Sequence, residues 1–253
     1  MLLRAENLSR RFGGVGALEA LDLELERGAV HAVIGPNGAG KTTLVNLLSG
    51  IYRPSAGRLL FESSDMTGRA PHEFAAAGIG RTFQNLQVFF NMSALENVMA
   101  GRWLRERCSL HAALLRLPAL AREERACRAA AEGLLDYVGL ARWRDARSDA
   151  MPYGALKRLE IARALAAEPK LLLLDEPAAG LNPSETREID ELIRRIAARG
   201  ITVLLVEHNM KLVMEVSAHI VVLDYGRKLA EGDPRSVSAD PRVIEAYLGG
   251  AAA

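Results

Sequence analysis

Long apolar runs are missing from this sequence. Stretches such as Leu171–Leu174 and Ile201–Val206 are strand-sized, well short of the ~20 apolar residues a bilayer-spanning helix needs. The opening MLLRAENLSRRF contains no apolar stretch of signal-peptide length. The expectation is a soluble, cytoplasmic protein that reaches a membrane only through a partner. Cysteine is scarce. Cys108 and Cys127 form no CxxC pair and have no histidine at metal spacing, so they read as reduced, incidental thiols. Excess charge is missing as well: 32 basic against 31 acidic residues leave +1. Whole-chain charge therefore gives no reason to expect nucleic acid as a partner. No internal repeat or low-complexity linker is visible.

What is present is core-forming. A hydrophobic content of 49% over 253 residues supports one sizeable core with a smaller subdomain attached. The first third is β-rich. Leu21–Leu25 alternates apolar and acidic residues, as a half-buried strand does. Val30–Ile34 is a short β-branched run ending at Gly35, followed by a glycine loop and a helix pattern over Thr42–Leu48. Gly57–Phe61 and Ile79–Phe83 read as further strands. From about Ala94 to Leu140 the chain turns to Ala, Leu, Arg and Glu at helical spacing, with Pro118 as a break. That stretch reads as a helical insert. Met151–Gly154 is a turn signal before a helix through Ala166. Leu171–Leu174, Ile201–Val206 and Ile220–Leu223 read as buried parallel-type strands. Ser184–Arg199 is an amphipathic helix closed by Gly200. Strands alternating with helices give an α/β class with a mostly parallel sheet covered on both faces. The closing GGAAA is expected to fray.

Two segments carry chemistry. Gly35, Pro36, Asn37, Gly38, Ala39, Gly40, Lys41 and Thr42 complete a phosphate-loop pattern between a strand and a helix, with Thr43 next in line. Glycines let the backbone wrap a phosphate closely enough for several N–H groups to point inward. The following helix adds its positive end. Lys41 supplies charge to the β- and γ-phosphates, and the Thr42 hydroxyl can ligate Mg²⁺. The second segment is Leu171-Leu-Leu-Leu-Asp-Glu-Pro177. It delivers two carboxylates at the carboxyl end of a buried strand, where ligands of α/β sheets sit. Asp175 is the candidate Mg²⁺ carboxylate. Glu176 is placed to orient and deprotonate an attacking water.

The order of phosphate loop, helical insert, signature segment, Asp-Glu and then a histidine after the next strand resembles the ATP-binding cassette family over nearly the whole chain. Arg11-Phe-Gly-Gly14, Arg81-Thr-Phe-Gln-Asn85, Leu159-Glu-Ile-Ala-Arg-Ala-Leu165, Pro177-Ala-Ala-Gly-Leu-Asn-Pro183, Val206-Glu-His-Asn-Met210 and Ile244-Glu-Ala-Tyr-Leu-Gly249 narrow it. They look like the importer branch serving branched-chain amino acids, and like the one of its two ATPase subunits with the longer helical insert. The resemblance implies a phosphate-loop NTPase (RecA-like) core with an N-terminal antiparallel β subdomain and an inserted α-helical subdomain. Residues 1–93 and 156–230 would form the core, 94–155 the helical subdomain with the signature, and 231–253 a C-terminal helix and tail. It also implies roles. Phe12 would stack on adenine. Gln84 would sense Mg²⁺ and the attacking water. His208 would contact the γ-phosphate. His31, His72, His111 and His219 draw no functional expectation.

The implied cofactors are ATP and Mg²⁺. The implied partners are a second ATPase subunit, as homodimer or heterodimer, and two permease subunits. A solute-binding protein would act indirectly, and the chain would sit on the inner face of the membrane. Leu86, Val88, Phe89, Phe90 and Met92 are candidates for the groove that receives a permease helix, with ordinary core as the alternative. The solute stays open between branched-chain amino acids and an amide, urea or small carboxylate; a soluble, non-transport cassette protein is the remaining alternative. One departure stands out. Where the family reads Leu-Ser-Gly-Gly-Gln, this chain has Met151-Pro-Tyr-Gly-Ala155. Pro152, Tyr153, Gly154 and Ala155 would face the ATP held by the opposite subunit. Pro152 brings neither hydroxyl nor N–H.

Overall fold

The computed structural model describes residues 1–105 and 118–248. Cys108, His111 and the GGAAA tail lie outside them. The chain forms two compact units: Met1–Arg81 with Lys170–Ala253, and Thr82–Pro169.

The first unit holds two sheets. In one, β2 (Val15–Leu25), β1 (Leu3–Phe12), β4 (Ala56–Phe61) and β5 (Ser64–Asp65) lie side by side, all antiparallel. The other has the order β10 (Arg227–Gly232), β9 (His219–Asp224), β3 (Val30–Ile34), β8 (Thr202–Val206), β7 (Leu171–Asp175) and β6 (Ile79–Arg81). Five of these run parallel and β10 pairs antiparallel at the edge. The mostly parallel sheet expected from sequence is therefore present, with an antiparallel sheet beside it in the chain.

β3, β7 and β8 are buried along their whole length. That explains why they read as continuous apolar runs rather than alternating ones. Leu171, Leu173, Leu204, Val206, Val33 and Leu223 join Leu44, Val45 and Leu48 of α1 (Lys41–Leu48) in one apolar cluster. Around the sheet run α2 (Pro71–Ala77), α6 (Pro183–Ala198), α7 (Met210–Val216), α8 (Pro234–Ser238) and α9 (Pro241–Leu248). α6 buries Ile189, Leu192, Ile193 and Ile196, one apolar stripe at helical spacing. Its start is fixed by Asn182, whose side chain accepts from the N–H groups of Ser184 and Glu185, and by Pro183 in the first helical position.

The second unit is helical: α3 (Ala94–Gly101), α4 (Pro118–Tyr137) and α5 (Tyr153–Ala166). Pro118 stands at the first position of α4. This agrees with proline's tolerance at first-turn positions, where the missing N–H is no loss. Asn97 on α3 is fully buried and is the polar hub. Its Nδ2 donates to the carbonyls of Phe89 and Ser93 and to Ser148 Oγ, each at 3.0 Å, and its Oδ1 accepts from Phe89 N at 2.8 Å. It pins the loop before α3 to the turn before α5. Asn97→Leu keeps the volume but orphans several buried groups, so chemical unfolding should show a loss of at least about 2 kcal/mol. An unchanged midpoint would contradict the hub.

Candidate functional site

The sheet register builds the site. Val206 of β8 pairs with Val33 of β3 on one side and with Asp175 of β7 on the other. The carboxyl ends of three parallel strands are thus level, and the next residues of each (Gly35 onward, Glu176, and Glu207–His208) leave the sheet along one edge.

After β3 the chain enters the Gly35–Thr42 loop. Gly35 lies at φ +151, and a Cβ there would sit 2.1 Å from the carbonyl oxygen of Leu223, so only glycine fits. Gly38 lies at φ +81 and a Cβ there would meet nothing within 4 Å. Asn37, Gly38 and Thr42 are exposed. The loop is thus braced against β9 on one side and open on the other. α1 begins at Lys41 with no side-chain cap and no acidic residue in its first turn. Its positive end is not neutralised locally, as an anion-binding helix start requires. The Lys41 side chain is buried and folds back onto its own loop, donating to the carbonyls of Gly35 (2.7 Å) and Pro36 (2.8 Å). Burial lowers its pKa, while Glu176 and then Asp175 act to raise it. An ammonium parked on two neutral carbonyls, beside the uncapped start of α1, fits a polyphosphate.

Asp175 ends β7, buried, and accepts from Arg81 at 3.1 Å. The Arg81 guanidinium also donates to Asn46 Oδ1 (2.6 Å) on α1 and to Ser49 Oγ (2.9 Å) at the C-cap of that helix. Burial lowers the Arg81 pKa and Asp175 opposes that shift. This buried bridge fixes the carboxylate against the helix that follows the phosphate loop. The sequence reading passed over it, because an arginine gives no sign of its burial or partner.

Glu176 adopts φ +50, a left-handed backbone that costs a non-glycine residue about 1–2 kcal/mol. Its N–H donates to Val206 O at 2.8 Å, and its Oε1 lies 2.7 Å from His208 Nε2. Strain of this kind concentrates at functional sites and persists where surrounding bonds over-determine it. Glu207, between Val206 and His208, is also buried and was missed from sequence. It accepts backbone N–H groups from Ala178, His208 and Asn209. Among the described residues no group of three or more His, Cys, Asp or Glu could hold a metal ion. Thr42 and Asp175 offer two oxygen donors, which fits Mg²⁺, since it habitually completes its shell with phosphate oxygens and water.

Phe12 is exposed at the end of β1, edge-on to Tyr52 at 5.2 Å between centroids, with the Arg10 guanidinium 4.6 Å from its ring centre. Among the histidines without an assigned role, His31 is buried and accepts from Glu26 N, and His219 pairs with Glu231. Cys127 is buried.

Gln84 and residues 152–155 belong to the second unit. Gln84 is exposed on a loop whose Phe83 and Gln87 N–H groups donate to the buried Glu160 of α5. Burial raises the Glu160 pKa, and the hydrogen bonds from that loop act against the rise. Pro152 is the N-cap of α5, Tyr153 is exposed at its first position, and Gly154 and Ala155 are buried. Of the apolar residues after Gln84, Val88 is buried while Phe89 and Phe90 are exposed. The Phe89 ring faces the Arg163 guanidinium at 5.2 Å.

Fold and site together define a phosphate-loop nucleotide-binding ATPase of the cassette type. A family model described as ABC transporter matches residues 18–179, and one described as branched-chain amino acid ATP-binding cassette transporter matches residues 227–253. The chain therefore belongs to the ATP-binding cassette transporter family: it binds ATP and is an ATPase. It is 41% identical over 249 residues to the high-affinity branched-chain amino acid transport ATP-binding protein BraF of Pseudomonas aeruginosa, covering 98% of both chains. It is 40% identical to LivG of Escherichia coli, again covering 98% of both. Among solved structures, the ADP conformation of an ATP-binding cassette of an ABC transporter superposes with a TM-score of 0.85, at 34% identity over 98% of each chain.

Removing the Lys41 charge should separate binding from stability. Lys41→Met should weaken ATP binding about 10–100-fold, the worth of a hydrogen bond to a charged group. Its melting temperature should hold or rise, because a desolvated ammonium is removed. Fluorescence titration and thermal unfolding check both, and unchanged affinity would remove Lys41 from the site.

Proposed function

We propose that this chain is the ATP-hydrolysing motor subunit of an importer for branched-chain or related amino acids. The observation that carries the reading is the Glu176–His208 pair, 2.7 Å apart, at the sheet edge where the phosphate loop emerges. A module that only binds nucleotide has no need of it. The solute class rests on the kinship with BraF and LivG along nearly the whole chain and on the match over residues 227–253.

In this reading the loop from Gly35 to Thr43 wraps the phosphates of ATP and Phe12 stacks on the adenine. Lys41 exchanges the carbonyls of Gly35 and Pro36 for β- and γ-phosphate oxygens. Thr42 and Asp175 are the residues that would hold Mg²⁺, which when bound neutralises charge on the phosphate oxygens. Arg81 keeps Asp175 aimed. Glu176 takes the proton of the attacking water as its oxygen bonds in line to the γ-phosphorus, while the bond from that phosphorus to the bridging oxygen breaks and ADP leaves with the electron pair. His208 holds the Glu176 carboxylate and contacts the γ-phosphate. The chain then acts in a pair with a second ATPase subunit, whose ATP faces Pro152, Tyr153, Gly154 and Ala155. Backbone N–H groups at the start of α5 remain to serve that ATP. The pair works beneath two permease subunits at the inner membrane face, with Phe89 and Phe90 on the docking surface. Among the described residues no helix is long and apolar enough to cross a membrane; in this reading attachment runs through the permeases. Closing and opening of the pair convert γ-phosphate contacts into a population shift of the permeases.

Glu176→Gln should lower turnover by about 10²–10⁴-fold, the range for a positioned acid–base group, with ATP affinity retained. Undiminished turnover would sink the assignment. Tagged Glu176→Gln, drawn from native membranes with ATP and Mg²⁺, should bring two multi-span proteins and a second cassette, identified by mass spectrometry. Soluble partners alone would overturn the transport reading. Pro152→Ser should not raise turnover of the paired ATPases. A clear rise would instead make this signature a deliberately weak site.

A further inference from the structure

We infer that Glu207 is a positioning residue for hydrolysis: its carboxylate clasps the turn after Glu176 to the loop that carries His208, and so holds the two reacting side chains in register. The proposal rests on the assignment of Glu176 and His208 to the reaction and adds to it a residue that touches neither substrate nor metal.

Glu207 follows β8 directly and is 3% exposed. A carboxylate so desolvated is tolerated only when its oxygens are satisfied by strong donors. Both are. Oε1 accepts from Ala178 N at 2.8 Å, across the sheet edge. Oε2 accepts from His208 N at 3.0 Å and Asn209 N at 3.3 Å, on its own loop. All three donors are backbone groups, so the carboxylate fixes the path of two chain segments rather than the pose of one side chain.

The segments it joins carry the chemistry. The turn after β7 begins at Glu176, in its left-handed conformation, and closes with Ala179 N donating to Glu176 O at 3.2 Å. Ala178 is the middle of that turn. On the other side, Asn209 Oδ1 caps α7 through Leu212 N, so the loop from Glu207 to Asn209 is short and held at both ends. The two segments meet at three places: Glu176 N on Val206 O, Ala178 N on Glu207, and His208 Nε2 on Glu176 Oε1. The first belongs to the sheet edge and the third to the reacting groups. The Glu207 contact is the side-chain link that makes the outer part of the turn follow the histidine loop. Without it, the turn that follows Glu176 is no longer tied to the loop that carries His208, and the register between the two side chains loosens. Misplacement on the order of 1 Å at a reacting group is enough to cost about a hundredfold in rate.

The test separates the clasp from the local loop. Glu207→Asp keeps the charge and, one methylene shorter, can still cap His208 and Asn209 as aspartates cap their own following residues. It no longer reaches Ala178. Glu207→Gln keeps the size but has a single acceptor oxygen for three donors. For both, kcat and KM for ATP are measured with the full chain, beside thermal unfolding. We expect kcat to fall at least about tenfold with KM nearly unchanged, and Glu207→Asp to unfold close to the wild type. In a double-mutant cycle, adding Glu207→Asp to Glu176→Gln should lower turnover no further, because both act through the same group. Wild-type kcat in Glu207→Asp overturns the clasp. So does a loss that vanishes once corrected for the folded fraction, or one that adds in full to Glu176→Gln. Retained turnover in Glu176→Gln alone would instead break the assignment of Glu176, a different failure.

Discussion

The pairing of one residue, Val206, with Val33 on one side and Asp175 on the other is the constraint on which the site depends. It sets the ends of three buried strands level. A slip of one residue in β8 would turn its side chains to the opposite faces of the sheet, and it would carry Glu207 and His208 away from the Asp175–Glu176 end. Burial on both faces makes that slip expensive. β3, β7 and β8 have no polar face on which an alternative register could rest. The hydrophobic core thus acts on the chemistry through geometry, by fixing where the first polar residues after each strand appear.

On that fixed edge the polar groups are held against their own preferences. Lys41 is buried on two carbonyls, Asp175 is paired inside with Arg81, and Glu176 bends into a left-handed backbone. Each arrangement is costly alone and is stabilised by a neighbour. Arg81 ties Asp175 to α1. Val206 and His208 tie down Glu176 at its two ends. In the proposed reading a site assembled this way is pre-organised: the charges that would meet phosphate are already in place, and the partners they hold now are weaker than the one they would exchange for.

Much of this was legible in the sequence, for local reasons. The Gly35–Thr42 loop is a contiguous pattern, and it lies between β3 and α1 as its position in the sequence implied. Leu171–Asp175 and Thr202–Val206 announce themselves as buried strands because nothing polar interrupts them. The amphipathic helix expected at Ser184–Arg199 is found at Pro183–Ala198, since its stripe and cap are both local. β1 escaped notice because its alternation is broken. Asn7 sits at φ +49, within the register shift between Ala5 and Leu8, so the apolar residues fall out of step. β10, Arg227–Gly232, is an edge strand with little apolar content, defined by its pairing with β9. The strand expected over Ile79–Phe83 ends at Arg81, where its partner β7 still has residues to run. Arg81, Glu160 and Glu207 were invisible for one reason. Each matters through burial and through partners that the fold, not the neighbouring sequence, provides.

The account stands or falls on where the triphosphate binds. The most direct measurement is a structure of the Glu176→Gln protein with ATP and Mg²⁺. The account predicts Lys41 Nζ released from the carbonyls of Gly35 and Pro36 and bonded to β- and γ-phosphate oxygens, with the metal on Thr42 and Asp175. A triphosphate bound elsewhere, with Lys41 still on those two carbonyls, would contradict it.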